Sequence, residues 1–160
     1  MTKAVDPETQ LASFLAKFTP EIADLAVTAR RKMRKIFPTA LELVYDNYNA
    51  LAIGYGPTER ASEAIFSIAL FPRWVSLFFL HGKGLPDPEM RLKGSGNVAR
   101  SIRLTSPAVL EEPAVMELMR AAVERATVPF DPDTFNPGTK HRLIIKSISA
   151  KQRPRRPSRS

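Results

Sequence analysis

With 160 residues, 44% hydrophobic and 25% charged, the chain is long enough for one domain with a sizeable core and short for two. It has no cysteine, which excludes a disulfide framework, a thiolate zinc site and a cysteine nucleophile. The net charge of +8 is unevenly placed: the first 139 residues balance, 16 cations against 16 acids, and eight further cations follow Asp133.

The N-terminal MTKAVDPETQ has no apolar leader core, and no run reaches the ~20 apolar residues of a membrane helix. The expectation is a cytoplasmic protein with no membrane partner. Asp6-Pro7 opens a first helix as N-cap and first-turn proline, and Leu11, Phe14, Leu15 and Phe18 follow at helical spacing. Thr19-Pro20-Glu21 repeats the signal. The second helix aligns Ile22, Leu25, Ala26, Ala29, Met33 and Ile36 on one stripe, with acids early and cations late, and closes at Phe37-Pro38.

Ala40 to Tyr48 alternates as a half-buried strand, Leu41, Leu43 and Tyr45 on the apolar face and Glu42, Val44 and Asp46 on the other. Asp46-Asn47-Tyr48-Asn49 turns the chain into a second strand, Ala50 to Tyr55. A hairpin follows: AIFSIALF, a Pro72-Arg73 turn, then WVSLFFLH, apolar on both faces and therefore expected to be covered on both sides or nearly so. Gly82 to Asn97 reads as a long loop with one helical turn started by Asp87-Pro88-Glu89. Val98 to Thr105 reads as a fifth strand, and a third helix starts at Glu112-Pro113. The expected fold is α+β: an antiparallel, meander-like sheet of about five strands, with two N-terminal helices and one C-terminal helix packed on it. Residues 1–128 form the domain. Residues 129–150 are a linker with a possible extra strand over Arg142 to Ser149, and 151–160 a disordered basic tail.

Several local patterns carry a family likeness: two N-terminal helices, VYDNYNALAIGYGP, FSIALFPRWVSLFFLHG and KGSGNVARSIRL. From Leu11 to Arg125 the chain resembles the YdhG-like domain family of small bacterial proteins. The resemblance implies a curved antiparallel sheet with helices on it. Some family members have been proposed as frataxin-like iron chaperones, which makes iron handling an alternative function. Iron delivery needs clustered carboxylates or imidazoles, and after the capping Asp6 the first two helices carry only Glu8, Glu21 and Asp24.

No catalytic constellation, metal-ligand set or cofactor motif emerges, and a binding or interaction module is the leading expectation. Its candidate ligand site is Tyr45, Asn47, Tyr48, Asn49, Tyr55 and Trp74, aromatic and amide groups at neighbouring strand ends that suit a small planar ligand. His81, which ends a strand and begins the glycine loop, joins them as an imidazole able to donate or accept a proton. A second candidate is the loop Lys93, Gly94, Ser95 and Gly96 with Arg100 and Arg103, whose small residues free backbone N–H groups for an anion. It lacks the Gly-Lys-Ser/Thr ending of a P-loop. A small molecule, a second copy of the chain, and weakly bound nucleic acid at the tail are the expected partners. No aromatic residue lies within that tail to stack a base.

Overall fold

The computed structural model describes residues 5–130 and 143–158. Three α-helices, α1 (Pro7–Leu15), α2 (Pro20–Ile36) and α3 (Pro113–Glu124), accompany six strands. These are β1 (Leu41–Asp46), β2 (Leu51–Gly56), β3 (Phe66–Leu70), β4 (Val75–Phe79), β5 (Arg100–Arg103) and β6 (Leu143–Ile148). The sheet runs β5-β4-β3-β2-β1-β6, an antiparallel meander with β6 added parallel to β1. The α+β class and the placement of the helices agree with the expected fold. The extra strand over Arg142 to Ser149 is present as β6, so the sheet has six strands. The part of the expected linker over 131–142 lies outside the described residues. No described helix is long and apolar enough to cross a membrane.

Both early helices begin as their sequences dictate. The Asp6 carboxylate accepts from the Thr9 N–H at 3.3 Å and the Thr19 hydroxyl from the Ile22 N–H at 3.5 Å, each with a proline next in the chain. The start of α3 differs: the Glu112 carboxylate makes no cap bond and turns to Arg91 at 2.5 Å. The expected helical turn at Asp87 is a single turn closed by the Met90 N–H on the Asp87 carbonyl at 3.1 Å, and the Asp87 carboxylate accepts from the Arg91 and Leu92 N–H groups at 2.8 Å each.

Strand register puts Ile53, Ile68, Leu77 and Ile102 in one row and Leu51, Leu70 and Val75 in the next, all on the face that joins the core with Leu11, Phe18, Ala29, Met33 and Leu118. Each such large side chain contributes on the order of 1.5–3 kcal/mol by leaving water. Phe37 stacks on Phe66, and Phe66 meets Phe79 edge-on at 5.5 Å between centroids.

The opposite face carries Leu43, Gly54, Ser67 and Phe78 in one row and Tyr45, Ala52, Ala69, Ser76 and Arg103 in the other. Leu43 and Ala69 are buried yet stand outside the core cluster. One expectation holds and one is corrected. The core helices clad one face of the central hairpin, and the outer-face residues Ser67, Ala69 and Ser76 are buried as well, so the hairpin is covered on both sides or nearly so. In β1 the faces are exchanged, with Glu42, Val44 and Asp46 turned toward the helices. The physical reason is the pairing with β2, which sets Glu42 opposite Tyr55, Val44 opposite Ile53 and Asp46 opposite Leu51, together with cations that meet both acids.

Candidate functional site

Asp46 ends β1 with no solvent exposure. A buried carboxylate is costly unless it is paired and hydrogen-bonded. Lys17, at the end of the first helical segment, reaches it at 3.1 Å, and Arg155 reaches it at 2.9 Å from the C-terminal segment. Arg155 is 5% exposed, also donates to the Asn47 carbonyl, and lies over the Phe18 ring at 5.7 Å. Its Nε and Nη1 are buried with no hydrogen-bond partner. Two backbone bonds and one side-chain bond hold the rest of the segment to the β1–β2 turn. The Ser149 N–H donates to the Asp46 carbonyl, Gln152 Nε2 to the same oxygen, and the Arg153 N–H to the Tyr48 carbonyl at 2.8 Å.

Residues 151–158 are thus a strap laid across the sheet end, where a disordered tail is the expectation from composition. Arg/Pro/Ser composition registers the lack of apolar residues; it does not register that a buried acid 109 positions upstream awaits a cation.

The strap forms one wall of a groove of about 630 Å³. Its other walls are the β1–β2 turn at Asn49 and the β3–β4 turn at Arg73 and Trp74; Arg153 and Arg156 face them. Trp74 is stacked on Phe71 at 5.1 Å, and the Arg103 guanidinium lies over the indole at 4.6 Å. Arg73, Arg103, Arg153 and Arg156 are exposed, and none is paired with a carboxylate among the described residues. Arg156 spends two donors on the Lys17 and Ala16 carbonyls at the end of α1, which fixes its place. No acid lines the groove. Chemically it is a cationic groove with aromatic side chains at its rim.

The predicted ligand cluster is divided. Asn49 and Trp74 line the groove, and Tyr48 stands beside it, 52% exposed, with Asn47 exposed in the same turn. Tyr55 belongs instead to the core, 1% exposed, its hydroxyl donating to Glu42 at 2.9 Å; burial and the adjacent Glu42 charge push its pKa well up. Tyr45 points to the outer sheet face. Its hydroxyl is shielded and unpartnered, and that shielding raises its pKa. His81 lies at the other end of β4 from Trp74, about 20 Å away at the usual rise per residue. There its Nε2 sits 3.3 Å from the Ser62 carbonyl, beside a cavity of about 190 Å³ that Glu63 and Arg125 also line.

The glycine loop is not an open nest. Lys93 pairs with Ser101 through two backbone bonds of 2.8 and 2.9 Å, and Gly94, at φ +124°, sits where a side chain would be strained. Arg100 folds back onto the Gly96 and Ala99 carbonyls at 2.6 and 2.7 Å, while Arg103 leaves for Trp74. The two arginines therefore serve different places.

Sequence reasoning leaves out the strap and the acid network of the helix face. Glu42, with no exposure, accepts from Arg30 and Arg34, and Glu8 binds the same two arginines from α1. Among the described residues no group of three or more His, Asp or Glu side chains is placed to hold a metal ion. Compared with known proteins, the chain matches no family model, no curated protein and no solved structure.

Proposed function

We propose that this chain is a small α+β binding module of the YdhG-like type, and that its ligand is a phosphate-bearing molecule held in the groove beneath the strap. The observation that carries this reading is the set of unpaired guanidinium groups, Arg73, Arg153 and Arg156, converging on a groove with no acid in its wall. Guanidinium groups match phosphate oxygens in a two-pronged geometry and hold their charge at any working pH. The volume falls within the ~300–1,000 Å³ usual for small-molecule sites. Asn49 and the Trp74 rim supply amide and aromatic contacts for a ring attached to the phosphate. Kinship with the YdhG-like family is supported by the order of helices and hairpins between Leu11 and Arg125.

Calorimetric titration of the full chain with pyrophosphate and with ADP tests the proposal. Saturable binding of at least one is expected, weakened tenfold or more in the Arg73→Ala, Arg153→Ala double variant. Equal affinity in that variant, or no heat with either ligand, would sink it.

A further inference from the structure

The cationic surface does not stop at the groove. The β1–β2 and β3–β4 turns lie at the same end of the sheet, with β2 and β3 adjacent between them. At the ordinary strand spacing their centres are about 10 Å apart. Each turn presents an aromatic residue: Tyr48, 52% exposed, on one and Trp74 on the other. Arginines alternate with them. Arg153 is tied by its own N–H to the Tyr48 carbonyl, Arg73 precedes Trp74, and Arg103 extends the Phe71–Trp74 stack with its planar guanidinium. About 10 Å corresponds to roughly three steps of a stacked strand at 3.4 Å each.

Resting on the groove reading above, we propose that the occupant is single-stranded nucleic acid, laid across the two turns with its phosphates on Arg73, Arg103, Arg153 and Arg156 and a base on the Tyr48 ring. Alternating aromatic and cationic groups along one surface are what a flexible strand with splayed bases recognises. A duplex hides its base faces and leaves the exposed tyrosine without a role. The strap, which by itself offers charge and no ring, acquires its stacking partners from the turns it crosses.

Fluorescence anisotropy with labelled 12-residue oligonucleotides tests this, deoxythymidylate and uridylate in separate arms and a blunt duplex of equal length as comparison. Either single strand binding in preference to the duplex is the expected result. Four neutralised phosphates give a log–log salt slope near −2.8, hence about a 50-fold loss between 50 and 200 mM salt. Tyr48→Ala should weaken binding roughly tenfold and Tyr48→Phe should restore it, because stacking needs the ring and not the hydroxyl. The Arg153 link survives both changes, since it uses the main-chain carbonyl.

Equal binding of duplex and single strand, or an unchanged Tyr48→Ala variant, overturns the inference. If pyrophosphate or ADP binds and neither oligonucleotide does, the inference falls while the groove reading stands. Silence from all of them removes both.

Discussion

Glu42 is fully enclosed, with Arg30 Nε at 2.9 Å, Arg34 Nε at 2.7 Å and the Tyr55 hydroxyl at 2.9 Å. Glu8 meets the same arginines from the solvent side, its side chain 49% exposed. The two acids look equivalent in a contact diagram and differ in what their loss leaves behind. Removing Glu42 leaves the Nε donors of Arg30 and Arg34 and the buried Tyr55 hydroxyl without a partner, Glu8 holding only the outer guanidinium nitrogens, and breaking such a buried set costs about 3–5 kcal/mol. Removing Glu8 exposes Arg30 and Arg34 to water with Glu42 still in place, for about 1 kcal/mol or less. Urea unfolding of Glu42→Ala and Glu8→Ala should therefore show a large drop in midpoint for the first and a small one for the second. Comparable midpoints would mean that the pairing with Glu42 does not organise the interface.

At the scale of elements, the strap is attached by one buried ion pair and a few backbone bonds, far less than holds a strand in the sheet. In Arg155→Ala, Asp46 keeps only Lys17, a 43% exposed partner, and about 3 kcal/mol of stability should go with the lost guanidinium. Both contacts come from the single Nη2; a lysine ammonium on its shorter stem gives up the planar guanidinium over Phe18, so Arg155→Lys should rescue only in part. Hydrogen exchange reads attachment directly, because the Ser149 and Arg153 N–H groups are spent on the Asp46 and Tyr48 carbonyls. Both should lose protection in Arg155→Ala while the β2 and β3 amides keep theirs. An Arg153 amide that exchanges at the same rate in the variant would show that the backbone bonds alone hold the strap.

Over the whole molecule, what was legible followed from periodicity and punctuation. The Asp6-Pro7 and Thr19-Pro20 starts and the alternation of β2 to β4 are local signals, and they specify element order and class. What was not legible is long-range compensation. A Glu or Asp in an alternating strand reads as a solvent-facing residue, and only Arg30, Arg34, Lys17 and Arg155, brought by other elements, reverse that for Glu42 and Asp46. The same blindness separated the strap from Trp74 and Asn49. Charge balance over the first 139 residues conceals it too, since the neutral body pairs many of its own charges internally and the strap brings cations with no acid of their own.

This division has a consequence in acid. The hydrogen bond from Arg30, helped by Arg34, holds the Glu8 pKa below its ordinary value of 4.5. A carboxylate depressed in the folded state adds stability that is fully present above the unfolded value and is lost as pH falls through the folded one. Glu8 therefore ties α1 to α2 in full above about pH 4.5, and the tie is lost progressively as pH falls from there through the lower folded value. Glu8→Gln should be less stable than the parent near pH 6, and the gap should narrow as both are titrated below pH 4.5, because the variant has no proton left to take up at that site. Denaturation midpoints measured at half-unit steps from pH 6 to pH 3 give the comparison. Parallel acid limbs would show that the Glu8 pairing in the fold is no stronger than its solvation in the unfolded chain.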